Sequence, residues 1–147
     1  MPSAQNTLQP TVQSTILVFC ADHGIKKSHF GVSPYPPSVT QAVFRALVAG
    51  ISGTGTLSRS VGAHLTVIDC GIDGNVFDVK TNVKTNLNSH VTVLHKKVAP
   101  GTSSVVSGPA MTDTQLSESL AIGANAVAAE VTDRNATVIG IGEAGIG

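Results

Sequence analysis

Apolar residues in this chain come in short unbroken blocks separated by polar stretches. The run Ser14-Thr15-Ile16-Leu17-Val18-Phe19-Cys20-Ala21 is bounded by a polar lead-in and the turn Asp22-His23-Gly24. A block of that length, rich in branched residues, predicts a strand buried on both faces. His64-Leu65-Thr66-Val67-Ile68-Asp69-Cys70-Gly71 has the same character. Residues 91–98 alternate enough to predict a third strand or a hairpin arm. Residues 136–141 predict a closing strand, which runs into the glycine-rich turn Gly142-Glu143-Ala144-Gly145-Ile146-Gly147.

Helical periodicity fills the gaps. Val39, Ala42, Val43, Ala46 and Leu47 recur at helical spacing and predict one apolar face. Ser38 is a suitable N-cap, Gln41 completes a capping box, and Gly50 stops the helix. A shorter helix is predicted over residues 54–61, closed by Gly62. A second capping box, Thr112-Asp113-Thr114-Gln115, opens a long helix with Leu116, Leu120, Ala124, Val127, Ala128 and Val131 on one face, ended by Arg134-Asn135. Residues 25–37, rich in Gly, Ser and Pro, predict a loop, and residues 72–88 carry no clear pattern. Strand, helix and strand with crossovers of this length predict an α/β fold, a parallel sheet flanked by helices. Residues 1–13 form the polar lead-in and residues 14–147 the domain.

Composition narrows the picture. With four Phe, one Tyr and no Trp, the core must be built from Val, Ile, Leu and Ala. Nine basic and nine acidic residues cancel, and no Lys/Arg run exceeds two, so nucleic acid is not an expected partner. No stretch approaches the roughly 18 apolar residues of a membrane span. The N-terminus lacks a secretory pattern, so a soluble, cytoplasmic protein is expected. Two cysteines make neither a disulfide framework nor a zinc set; buried reduced thiols are expected.

Ligands of a parallel sheet gather at the carboxyl ends of its strands. Asp22-His23-Gly24, Asp69-Cys70-Gly71-Ile72-Asp73 and Gly142-Glu143-Ala144-Gly145 all fall there. Asp22 and His23 suit an acid/base pair or a metal pair. No further ligand stands at useful spacing, so no metal is expected, and an aspartate so placed more often pins its own turn. His29, His64, His90 and His95 show no ligand spacing and are expected mostly in loops or on the surface. Gly140-x-Gly142-x-x-Gly145 fits the dinucleotide fingerprint formally, but it follows a late strand in a segment crowded with glycine. A carboxylate inside a phosphate cradle repels phosphate. Glu143 is better suited to sugar hydroxyls or a developing cation. From pattern alone, Ser33 reads as a turn residue and Gln41 as part of a cap.

The string Val18-Phe19-Cys20-Ala21-Asp22-His23-Gly24, followed by Gly31-Val32-Ser33-Pro34-Tyr35-Pro36 and Val39-Thr40-Gln41, resembles one family. Gly108-Pro109-Ala110-Met111-Thr112 and Ile141-Gly142-Glu143-Ala144-Gly145-Ile146-Gly147 resemble it too, in the same order. It is the nicotinate-nucleotide–dimethylbenzimidazole phosphoribosyltransferases of cobalamin lower-ligand assembly. The resemblance runs from about residue 15 to the last residue. It implies a Rossmann-like parallel sheet with a smaller helical domain, in a homodimer, without cofactor or metal. It implies transfer of phosphoribose from nicotinate mononucleotide to 5,6-dimethylbenzimidazole, giving α-ribazole 5′-phosphate and nicotinate. It places Ser33, Tyr35 and Gln41 at the benzimidazole, and Gly142, Glu143 and Gly145 at the ribose and phosphate. Asp22 and His23 fall in the motif that ends the first strand. With the resemblance in view, a ligand-facing role for Gln41 outweighs the cap.

The chemistry suits these residue types. Displacing nicotinate at C1′ builds positive charge on the ribose, which a carboxylate such as Glu143 stabilises. A general base removes the incoming ring's N–H proton. The chain departs from the family in two ways. Ala144 stands where the family has Met. The family also continues Gly-Asn-Thr into a further domain carrying the general-base glutamate. The chain therefore reads as a central segment, incomplete at both ends and expected to be inactive alone. The alternative is a non-catalytic α/β module binding a nucleotide or a benzimidazole.

Overall fold

The structure is a computed structural model describing residues 12–76 and 90–147, so all but the end of the polar lead-in lies outside the described residues. In chain order the elements are β1 (Ser14–Ala21), α1 (Ile25–Ser28), a 3-10 turn (Phe30–Val32), α2 (Ser38–Val48), α3 (Gly53–Ser60), β2 (His64–Gly71), β3 (Val91–His95), α4 (Asp113–Arg134) and β4 (Val138–Ala144). The strands form one parallel sheet in the order β3-β2-β1-β4. The two unbroken apolar blocks are the two central strands. Leu17, Leu65, Val67 and Ile68 are fully buried, as strands covered on both faces require. Residues 91–95 pair parallel to β2, so the third segment is a strand and not a hairpin arm.

Each face has its own core. On one, Val18, Cys20, Leu65 and Val67 pack against Phe44 and Leu47 of α2. On the other, Leu17 and Ile68 pack against Ala126 of α4, with Phe19, Ile122 and Val127 around them. Both long helices are rotated from the predicted orientation. In α2 the buried residues are Thr40, Phe44 and Leu47, while Val43 is partly exposed. Phe44, the bulkiest apolar side chain of that helix, gains most from burial and turns Val43 outward. In α4, Leu116, Leu120 and Val131 are exposed, and Ala126 and Glu130 are buried. Thr15 and Thr66 place buried hydroxyls on this face of the sheet. Both donate to Glu130, at 3.0 and 2.6 Å, so the need for an acceptor draws the carboxylate in.

Local signals met mixed outcomes. The capping box at the start of α4 forms: Gln115 N–H donates to Thr112 Oγ1 at 3.2 Å, and Thr112 N–H to Gln115 Oε1 at 2.9 Å. The one expected at Ser38 does not. Pro37, with φ −57°, already has helical geometry and is the N-cap, so Ser38 lies inside the helix and Gln41 turns elsewhere. The predicted loop over residues 25–37 holds α1 and the 3-10 turn, drawn together because Lys26 Nζ donates to the carbonyls of both Phe30 and Ser33. His64, expected in a loop or on the surface, is half-buried in β2 and bonded to Thr92, while His90 lies in the turn before β3, half-buried and bonded to Ser58. Gly50 and Gly62 end α2 and α3 at φ +69°, a conformation open to glycine at little cost.

Both cysteines are free thiols. Burial pushes Cys20 up to about 12, and the nearby Cys70, Asp69, Glu143 and Asp22 add to the shift. The folded state therefore holds this proton beyond the 9.0 at which an unburied thiol titrates. Stability from this group is complete below that value and is lost as pH rises towards 12. Iodoacetamide at about pH 8 is expected to leave Cys20 unmodified in the native chain and to alkylate it in denaturant. Peptide mapping that finds native alkylation at Cys20 would contradict its burial.

Candidate functional site

The strand order β3-β2-β1-β4 reverses direction beside β1. The connection from β1 leads one way to β2, and β4 returns to the other side of β1. In open α/β sheets the crevice at such a point, outside the carboxyl ends of the strands, is where ligands bind. Asp22-His23-Gly24 leaves β1 there, and Gly145-Ile146-Gly147 leaves β4 there. The two segments are joined, since His23 N–H donates to Ile146 O at 3.0 Å.

The β1 turn is fixed from every side. Asp22 is buried, at 3% exposure. Its Oδ1 accepts from Thr40 Oγ1 of α2, and its Oδ2 accepts Asp73 N–H at 2.8 Å. Its backbone N–H donates to Gly71 O, and its carbonyl accepts Thr102 N–H, each at 3.0 Å. Gly24 packs under the 102–104 loop, where a Cβ would lie 2.2 Å from Thr102 O. Asp22 therefore pins its turn, and His23 beside it is exposed. Among the described residues no group of three or more His, Cys, Asp or Glu is arranged to hold a metal.

The glycine-rich end differs from the expected turn. β4 runs on to Ala144, so Gly142 and Glu143 are strand residues paired with Val18 and Phe19. The ladder runs through Gly140 and Gly142, which pair with Ile16 and Val18 and leave a bare floor on that part of the sheet. The backbone leaves the sheet only at Gly145. There a Cβ would sit 2.1 Å from Ala21 O and 2.6 Å from Glu143 Oε1. The Glu143 carboxylate therefore sits directly over Gly145, beside the β1 turn.

Ser33, Tyr35 and Gln41 occupy the stretch leading into α2. Ser33 Oγ accepts Tyr35 N–H at 3.3 Å, and Tyr35 is 58% exposed. Gln41 Nε2 donates to Asp73 O at 3.0 Å. Among the described residues no hydrogen bond joins Ser33 or Tyr35 to Gln41 or Glu143; what connects the two groups is the Asp22 turn. Two concave spaces lie nearby, one along β1 and β4 and one at the Asp22 turn. A groove of about 520 Å³ runs over the bare Gly140-Gly142 floor, walled by Ile16, Val18, Val43 and Leu47. A smaller apolar cavity of about 190 Å³ lies at the ends of β1 and β2, between His23, Cys70 and Met111. The groove has the size usual for small-molecule sites. Of the residues around Asp22 and Gln41, Asp73 belongs to the motif at the end of β2 and Thr40 to the string Val39-Thr40-Gln41, whereas Gly74 carries no signal in the sequence.

The comparisons with known proteins bear on the family and the fold. A family model described as phosphoribosyltransferase matches residues 1–147. The nicotinate-nucleotide–dimethylbenzimidazole phosphoribosyltransferase of Clostridium acetobutylicum is 34% identical over 139 residues, covering 94% of this chain and 35% of that protein. The enzyme of the same name from Desulfotalea psychrophila is 33% identical, covering 97% and 37%. The solved structure of the nicotinate-nucleotide-dimethylbenzimidazole phosphoribosyltransferase of Thermus thermophilus superposes with a TM-score of 0.77 at 29% identity, over 92% of this chain and 37% of that one. The chain thus spans a little over a third of the length of these relatives. Among the described residues no helix is long and apolar enough to cross a membrane. With the whole of its length matched by the family model, the chain belongs to the phosphoribosyltransferase family.

Proposed function

We propose that this chain carries the ribose-phosphate and benzimidazole half-sites of an enzyme that transfers phosphoribose from nicotinate mononucleotide to 5,6-dimethylbenzimidazole. The products are α-ribazole 5′-phosphate and nicotinate. The observation that supports this most is the junction at the switch point, where the β1 turn and the glycine-rich end of β4 are bonded together beneath Glu143. A sugar at that junction has a carboxylate beside it and bare backbone under it. As nicotinate leaves C1′, the ring carbon becomes electron-poor, and a fixed negative charge lowers the barrier most where the charge develops. Ser33, Tyr35 and Gln41 would hold the incoming ring, with Asp22 and His23 setting the distance between the half-sites. The exposed Leu116, Leu120 and Val131 of α4 suit the homodimer that the resemblance implies.

No residue of this chain is assigned as the general base. The expected result is therefore binding without turnover. Calorimetry should show both nicotinate mononucleotide and 5,6-dimethylbenzimidazole binding to the purified chain, and chromatography should show no α-ribazole 5′-phosphate from the mixture. Absence of heat for both ligands would remove the reading. Appearance of product would show that the base lies within these residues.

A further inference from the structure

We infer that the loop over residues 72–75 is a positioning device that fixes Gln41 as a hydrogen-bond acceptor. The ring site thereby selects an azole that still carries its N–H. This rests on the reading of Gln41 as a ring contact. The loop is held from several directions. Ile72 N–H donates to Asp69 Oδ1 at 3.0 Å, and Asp73 N–H to Asp22 Oδ2 at 2.8 Å. The Asp73 carboxylate pairs with Lys27 at 2.9 Å. Gly74 O accepts from Lys97 Nζ at 2.7 Å, and Asn75 O from Arg45 at 3.3 Å. The Asp73 carbonyl is therefore a stationary acceptor, and it accepts Gln41 Nε2 at 3.0 Å.

A carbonyl oxygen can face only the NH2 end of a carboxamide, so this bond decides which way the amide points. Gly74 closes the other side. Its φ is +124°, and a Cβ there would lie 2.4 Å from Gln41 Nε2. The first turn of α2 is tied to the same assembly, since Thr40, next to Gln41, donates to Asp22. With Nε2 occupied, the group left to a ligand is Oε1, which makes no hydrogen bond among the described residues and is not buried away from solvent. A neutral benzimidazole has one N–H and one lone-pair nitrogen. Giving the N–H to Gln41 Oε1 leaves the lone pair free for C1′; the amide only orients that proton, which a general base still has to remove. Asp73 and Gly74 are positioning residues here, acting through Gln41.

The test compares calorimetric affinities of 5,6-dimethylbenzimidazole and its N-methyl derivative, 1,5,6-trimethylbenzimidazole. The wild-type chain should prefer the N–H ring by at least about tenfold, because the methylated ring leaves the acceptor unpaired. Gln41→Leu should bind the two rings equally. Gly74→Ala, which displaces the amide, should lose most of the preference. Lys27→Met, a change at an exposed side chain that spares the core, should reduce it partly. The Gln41 side-chain NH2 signals should be sharp and dispersed in the wild-type NMR spectrum and collapse towards the free-amide position in Gly74→Ala. Equal affinity of both rings for the wild-type chain overturns the inference and leaves the ring site standing. A preference that survives in Gln41→Leu makes the discrimination steric and overturns it as well. Failure of both rings to bind removes the underlying reading together with the inference.

Discussion

Replacing Glu130 with alanine is expected to lower the unfolding free energy by about 3 kcal/mol. The residue is only 4% exposed, on a helix whose long apolar residues Leu116, Leu120 and Val131 point the other way. It is the acceptor for two buried hydroxyls, Thr15 on β1 and Thr66 on β2, and a partner of Arg134 at 3.1 Å. Alanine leaves the Thr66 hydroxyl without its acceptor, leaves Thr15 only the longer 3.4 Å bond to His64 O, and opens a void; an unsatisfied buried donor costs about 1–3 kcal/mol. The Arg134 pair adds little, because the arginine is 40% exposed. Against a typical total of about 5–15 kcal/mol, the loss is large. It should appear as a lower urea midpoint with an unchanged slope. Glu130→Gln keeps one acceptor and should lose less than half as much. A loss under about 1 kcal/mol for Glu130→Ala would mean that the threonines find other partners and that α4 is held by its apolar contacts alone.

The same residue shows why helical periodicity misplaces the buried face of α4. Periodicity weighs apolar side chains, and Leu116, Leu120 and Val131 form the better stripe. What decides the helix's orientation is the unmet hydrogen-bonding capacity of Thr15 and Thr66, which no helical pattern reports. The strands were legible because a parallel strand is apolar along its whole length, and β1 and β2 begin and end at the predicted residues. The end of β4 was not legible. Glycine signals a turn by default, yet Gly140 and Gly142 stay in the ladder because the pairing of β4 with β1 continues unbroken to Ala144. At the site, Asp22 was visible as a turn-pinning residue. Thr40 and Asp73 were not visible as its partners, since one lies on a helix face and the other past the end of a strand 51 positions away in sequence. The family motifs marked Ser33, Tyr35 and Gln41 as expected ligand contacts. They carried no information on the loop that sets the orientation of Gln41.

Gly145→Ala is expected to weaken nicotinate mononucleotide binding by roughly 10- to 100-fold, the cost of losing one hydrogen bond to a charged group at about 1.5–3 kcal/mol. The demand at this position is for space. An added Cβ meets the Ala21 carbonyl at 2.1 Å, and that carbonyl belongs to the end of a central strand with no freedom to retreat. The new methyl also meets Glu143 Oε1 at 2.6 Å. The β4 end must therefore lift away from the β1 turn, loosening the bond from His23 N–H to Ile146 O and carrying the Glu143 carboxylate with it. Gly142→Ala is the control. Its Cβ would meet Val18 at 3.7 Å, an ordinary contact, so the sheet should form with its melting temperature nearly unchanged. Any affinity lost in that variant reports crowding of the groove floor and not displacement of the carboxylate. A Gly145→Ala chain that melts and binds like wild type would show that the glycine-rich end of β4 does not position the nucleotide. The proposed assignment of Glu143 to the ribose would fall with it.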